Sequence, residues 1–213
     1  MSKPESDSDV ERAVRRLRQD LYRQAYYSRV GDSFRWATSR RSGWISERAQ
    51  HGAYDQLLRA LPSVAVGNVL DLGCGDGALL RRLVANSARP LVPYGVDFLI
   101  ESIEAARSVA SPHHHHHFEV GDVIEFDPGR RRFVLVLTSL SYAPPGRRGE
   151  FASRCRRWVQ PGGALVLYEY RGSPLFDSLG VLADHLELPV TERVMTGAMA
   201  LLIWTRTGTA RVR

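Results

Sequence analysis

Beyond Pro62 the chain alternates short, continuously apolar runs with amphipathic ones, and no other feature limits its fold so strongly. Residues 66–72, 91–97, 118–120, 133–140 (FVLVLTSL) and 164–170 read as strands. Residues 77–88, 99–110 and 149–160 carry helical patterning between them. A strand that is apolar on both faces must be covered on both faces, which a parallel sheet with crossover helices provides. Ser173-Pro174 reads as an N-cap followed by proline in the first helical position, predicting a helix to about Leu188. Residues 190–196 and 199–206 predict two last strands joined by a tight turn at Gly197, which suits an antiparallel hairpin. The expected class is α/β, a doubly wound and mostly parallel sheet.

The first 61 residues are patterned differently. Val10, Val14, Leu17, Leu21 and Ala25 recur at helical spacing, with arginines on the other face. Residues 30–50 are rich in aromatic and polar side chains without a clear period, and a short helix is expected over 49–61, stopped by Pro62. This divides the chain into a helical N-terminal extension, 1–61, and a sheet domain, 62–213. A chain of 213 residues supports one substantial core. No apolar run approaches the ~20 residues that a membrane span needs. Met1–Asp9 is polar and acidic, unlike a secretory signal, so a cytoplasmic protein is expected. Cys74 and Cys155 are the only cysteines, too few for a disulfide framework or a zinc cluster.

The formal charge of +6 invites a nucleic-acid reading, but Lys3 is the only lysine among 29 basic residues. That skew has a compositional cause in a GC-rich genome. The arginines are also scattered over expected helix faces and turns, as on a solvated surface. His113–His117 is a run of five adjacent histidines, which cannot all converge on one ion, and reads as a low-complexity loop.

The chemistry is concentrated at expected strand ends, where open parallel sheets bind ligands. The first strand runs into Asp71-Leu72-Gly73-Cys74-Gly75-Asp76-Gly77. Gly73 and Gly75 let the backbone turn tightly and approach a ligand, and the following helix offers free N–H groups and a positive dipole end to an anion. The second strand ends at Asp97, whose carboxylate can accept from both hydroxyls of a ribose. Phe98 can pack on an adenine face, and Asp122, closing the third strand beside Val123, can meet the adenine amino group.

These pieces, VLDLGCGDG (69–77), YGVDF (94–98), GDV (121–123), FVLVLTSL and PGG (161–163), resemble the class I S-adenosylmethionine (SAM)-dependent methyltransferases. The resemblance spans roughly 62–206. It implies a seven-stranded sheet ending in an antiparallel hairpin, SAM as cofactor, and donor contacts from Asp71, Gly73, Cys74, Gly75, Gly77, Asp97, Phe98, Asp122, Val123 and Thr138, with Tyr27 a further candidate. Gly73-x-Gly75-x-x-Ala78 also fits a dinucleotide fingerprint, with Asp97 near the distance of its ribose acid. The closing hairpin and the LDLGCG wording favour SAM.

Methyl transfer from a sulfonium works largely by positioning, and a general base is needed only where the acceptor must lose a proton. The catalytic candidates lie beyond the fourth and fifth strands. Glu169 can act as a base or orient an amine, or else pair with Arg171. Tyr142 can face the methyl group or serve as a packing aromatic. His51, expected just before a helix, is a third candidate. The Asn/Asp-Pro-Pro-Tyr motif of families that methylate base or glutamine amino groups is missing here, and neither cysteine lies near the fourth strand. Thr138 stands where magnesium-dependent relatives need an acid, so no catalytic metal is expected. The aromatics Tyr26, Tyr27, Phe34, Trp36 and Trp44 suit an apolar or planar substrate under an N-terminal cover. The expected activity is methylation of a small-molecule acceptor, with secondary metabolites in view. A nucleic-acid or protein methyltransferase, or a SAM-binding protein without transferase activity, is the alternative.

Overall fold

In a computed structural model of the protein, residues 47–171, 173 and 175–207 are described. They fall in one unit that begins at Trp44. The N-terminal amphipathic segment, Tyr27 and the aromatics from Tyr26 to Trp44 lie outside the described residues.

Helix α1 (Glu47–Ala60) is followed by β1 (Gly67–Leu72), α2 (Ala78–Asn86), β2 (Leu91–Asp97), α3 (Ile100–Val109) and β3 (Phe118–Val120). Then come β4 (Phe133–Thr138), α4 (Arg148–Trp158), β5 (Val159–Tyr170), α5 (Leu179–His185), β6 (Glu192–Met195) and β7 (Met199–Thr205). The seven strands form one sheet in the order β3-β2-β1-β4-β5-β7-β6. The first five are parallel, and β7 runs antiparallel to both β5 and β6. The strand order reverses between β1 and β4, so a crevice opens there at the carboxyl ends of the strands.

Alternation along the strands divides the core into two layers. Leu70, Leu72, Val136 and Leu167 pack with Phe151 and Cys155 of α4 and with Leu179 of α5. Val69, Leu137 and Val166 face the other way, onto Leu57 of α1, Leu80 of α2 and Ile103 of α3. Each fully buried leucine contributes about 2 kcal/mol through water exclusion alone. Cys155 is packing, buried without a disulfide partner. No helix among the described residues is long and apolar enough to cross a membrane.

Three local expectations differ from the structure. Pro161-Gly162-Gly163, expected ahead of the fifth strand, lies inside β5. There it makes a bulge, because the register with β4 shifts between Phe133 and Leu135. A Cβ on Gly163 would come within 2.7 Å of the Val134 carbonyl oxygen. The helix expected from Ser173 shortens to α5, which starts at Leu179. Ser173 caps a turn instead, accepting from the Leu175 amide at 3.2 Å while its hydroxyl donates to Glu169. The histidine run is a 3-10 turn, Pro112–His117, rather than an open loop. Its last ring stacks on Tyr94 at 4.0 Å, with Nδ1 3.2 Å from the Pro93 carbonyl oxygen. Burial, followed by the neighbouring His116 and His114, holds the His117 pKa below its ordinary value.

Candidate active site

The glycine loop leaves β1 through three residues of positive φ, Gly73 (83°), Gly75 (53°) and Gly77 (72°). Side chains rarely adopt this region, so the tight turn depends on glycine. The amides of Gly73 and Cys74 both donate to the Val96 carbonyl oxygen, at 2.7 and 3.1 Å, which pins the loop to the tip of β2. Asp97, at that tip, is buried and accepts from the Gly75 amide through Oδ2 and from the Leu99 amide through Oδ1, both at 2.9 Å. Each carboxylate oxygen keeps lone-pair capacity for a further donor, as two ribose hydroxyls require. Burial raises the Asp97 pKa and its backbone hydrogen bonds oppose the rise.

The anion expected at the N-terminus of α2 is in part supplied by the chain itself. Asp76, buried at 6% exposure, accepts from the Ala78 amide at 3.0 Å and lies 3.9 Å from Arg81. Asp71 is more deeply placed, accepting from the Tyr168 hydroxyl at 3.3 Å across the intervening β4. Burial pushes the Asp71 pKa up to about 7, the Tyr168 hydrogen bond pulls it down and the charge of Asp97 adds to the rise. The Cys74 thiol is pushed well up by burial and then by Asp97, Asp71 and Asp76, so all three carboxylates act on the loop. Asp76 was not singled out as a site residue, although its place inside the glycine motif was the signal that could have found it.

Farther along the sheet edge, Asp122 accepts from the Ile124 amide at 2.8 Å, and Val123 is buried in the core behind it. Phe98 is half-buried beside Asp97. Across the crevice, Thr138 closes β4 with a fully buried Oγ1 that meets no hydrogen-bond partner among the described residues. A buried polar atom of this kind wants a partner.

The acceptor-side candidates separate. Tyr142 is 39% exposed, and its ring lies against the glycine loop. A Cβ on Gly73 would be 2.5 Å from its Cε2. Glu169 is buried and is no partner of Arg171, whose Nε donates to the Gly197 carbonyl oxygen at 2.5 Å. The carboxylate instead accepts from the Ser139 hydroxyl at 2.5 Å, the Ser141 amide at 3.1 Å and the Ser173 hydroxyl. Sequence reasoning missed Ser139 and Ser141 because their contacts join β5 to residues 30 and 28 positions away, whereas Ser173 is only four residues on and was read as a helix cap. His51 sits inside α1 rather than ahead of it, since the helix begins at Glu47. Among the described residues no three His, Cys, Asp or Glu side chains group as a metal site.

Residues 69–163 match a protein family described as a methyltransferase domain. No curated protein matches the sequence. Among solved structures, the chain is similar to the magnesium protoporphyrin IX methyltransferase of Synechocystis PCC 6803 with bound SAM, at 14% identity and a TM-score of 0.60. That alignment covers 97% of this chain and 100% of the other. The methyltransferase in complex with the Haloferax volcanii Trm112 methyltransferase activator shares 18% identity at a TM-score of 0.60, over 81% of this chain and 96% of that one. An O-methyltransferase family protein from Burkholderia thailandensis shares 22% identity at 0.59, over 88% and 62%.

Proposed function

We propose that this chain is a class I SAM-dependent methyltransferase that methylates a small-molecule acceptor held over the β4 and β5 tips, a reading supported by its match to a methyltransferase domain over residues 69–163 and by its fold. The observation that carries the reading is the set of three buried carboxylates, Asp71, Asp76 and Asp97, around the glycine loop. SAM carries a sulfonium and an ammonium against one carboxylate, and so is a net cation. A negative cradle favours such a ligand, whereas a dinucleotide pyrophosphate would meet repulsion.

The donor residues divide the work. Asp97 holds the ribose, while Phe98 and Asp122 bracket the adenine against the wall formed by Val123. In this reading Thr138 offers its buried hydroxyl, unpartnered among the described residues, to the donor. Gly73, Cys74, Gly75 and Gly77 shape the loop that lets the backbone close on the ligand. When bound, SAM supplies a methyl already activated by its sulfonium. The chain then has to position an acceptor, exclude water and take up any proton released. Tyr142, lying on Gly73, stands where donor and acceptor sides meet.

Two features support a small acceptor. The motif of base and glutamine methylation is missing after β4. Neighbours of similar fold are described as acting on magnesium protoporphyrin IX or as an O-methyltransferase family protein. Two buried free cysteines suit a reducing compartment, so the reading includes a cytoplasmic enzyme. Titration calorimetry with SAM and with S-adenosylhomocysteine (SAH) tests its first step, and absence of binding by both would refute it.

A further inference from the structure

Glu169 stands out among the buried groups because its partners are hydroxyls and an amide. Among the described residues no arginine or histidine neutralises it. Its Oε1 accepts from the Ser139 hydroxyl at 2.5 Å, and Ser139 Oγ lies 2.5 Å from Ser141 Oγ. The direction of this chain is fixed by chemistry. Ser139 donates its one hydroxyl hydrogen to Glu169, so it must accept from Ser141. The Ser141 hydroxyl therefore spends its hydrogen inward and presents lone pairs outward. Ser141 is exposed, whereas Ser139 and Glu169 are buried. The next residue, Tyr142, lays its ring on Gly73 of the glycine loop. The outer end of the chain thus opens beside the donor loop.

We propose that Ser141, Ser139 and Glu169 form a proton relay that takes the hydrogen from a hydroxyl acceptor as it is methylated. This rests on the SAM-dependent reading above and adds the acceptor class, a phenolic or alcoholic O–H. In the transfer the acceptor O–CH3 bond forms and the donor S–CH3 bond breaks. The acceptor proton passes to Ser141 Oγ, the Ser141 proton to Ser139 Oγ, and the Ser139 proton to Glu169 Oε1. Glu169 ends as a neutral carboxylic acid, and SAM as SAH. The hydrogen bond from Ser173 to Oε2 holds the carboxylate in place while Oε1 takes the proton. Glu169 acts through the two hydroxyls and never meets the acceptor. A plain clamp between the β4 and β5 tips would have the same hydrogen bonds, so the test must separate holding from proton transfer.

The full-length protein is assayed with SAM against a panel of alcohols, catechols and phenols, including phenol and 4-nitrophenol at a pH where only the latter is ionised. Glu169→Gln keeps an oxygen for Ser139 and loses the ability to take a proton. It is expected to lower kcat for phenol about 100-fold, with KM little changed, and to leave ionised 4-nitrophenol within about threefold of the wild type. Ser141→Ala, a change on the surface, is expected to follow the same pattern, and Ser141→Thr, which restores a hydroxyl, to recover most of the rate. SAH affinity by calorimetry and thermal melting report whether each variant is folded. Equal losses on both phenols, or no loss on either, overturn the relay. A wild type that binds SAH yet methylates no hydroxyl compound of the panel overturns the acceptor class. A wild type that binds neither SAM nor SAH sinks the donor reading and the relay with it.

Discussion

The two halves of the sheet that meet between β1 and β4 are built in opposite ways. On the donor side, three acids are each held by a close neighbour in sequence, although Asp97 also accepts from the Gly75 amide and Asp71 reaches across to Tyr168. Asp76 accepts from Ala78, Asp97 from Leu99 and Asp122 from Ile124, each two residues on. On the acceptor side, Glu169 is held by Ser139 and Ser141, 30 and 28 residues away. The donor side gathers negative charge around a loop, and the acceptor side wraps one carboxylate in hydroxyls. A site made of local turns can be carried by a short motif, whereas a site made of long-range contacts exists only once the strands are in register.

The Asp71–Tyr168 hydrogen bond joins the two halves, and removing the titratable group of buried Asp71 gives the largest expected effect. The folded state holds the Asp71 proton far more tightly than the unfolded chain, since its pKa rises from 3.8 to about 7. Stability from this group is therefore fully present below pH 3.8, falls as pH rises, and is lost above about 7. The loss is roughly 4 kcal/mol across that window, at about 1.4 kcal/mol per unit. Asp71→Asn cannot titrate, so urea unfolding of the variant should show a flatter decline from acid to neutral pH than the wild type. Parallel declines would mean that Asp71 is not buried as described.

Asp97 separates the halves by ligand. Asp97→Ala removes the acceptor for two amides and for the ribose hydroxyls, and should weaken SAH binding about 100-fold or more by calorimetry. Glu169→Gln, on the other half, should shift SAH affinity less than about twofold, because its hydrogen bonds run within the acceptor side. Comparable losses from both would erase the distinction between donor and acceptor sides.

The same distinction explains what was legible before the structure. Continuously apolar runs such as FVLVLTSL announce strands covered on both faces, and the glycines with Asp97 and Asp122 announce the strand tips. Asp97 ends β2 as its spacing predicted, and β6 and β7 form the expected hairpin, while Asp122 lies two residues beyond the end of β3 at Val120. The Glu169 environment was not legible, because Arg171 is nearer in sequence than any serine of the β4 loop and only β4–β5 pairing brings Ser139 and Ser141 to the carboxylate. The helix expected at Ser173 begins only at Leu179, and Ser173 caps a turn while donating to Glu169. The bulge in β5 was hidden because the fifth strand was expected to begin at Ala164, after Pro161-Gly162-Gly163, and only the pairing with β4 carries it back to Val159.

Tyr142 on Gly73 is where the halves touch, and a double-mutant cycle measures that contact. Gly73→Ala forces a side chain to φ 83° and drives its Cβ into the Tyr142 ring. It should cost about 1–3 kcal/mol of stability by denaturant unfolding. Tyr142→Ala removes the obstacle without relieving the backbone. The double variant should therefore be more stable than the sum of the single losses by about 1 kcal/mol. Strict additivity would show that the ring does not rest on the loop in solution.

The smallest effect concerns the charge difference between donor and product. SAM and SAH share the adenosine, the ammonium and the carboxylate, and differ in the sulfonium and its methyl. The ratio of their affinities thus isolates what the carboxylate cradle contributes to recognising the cation. With an Asp71 pKa of about 7, its charge appears as pH rises through neutrality. Preference for SAM over SAH should grow about threefold over that rise, the scale of one added carboxylate acting through a protein of high effective dielectric. Asp71→Asn should hold the ratio level while retaining Asp76 and Asp97. A ratio that is flat in the wild type would assign the preference to shape, and leave the acidic cradle as a device for pinning the loop rather than for choosing the donor.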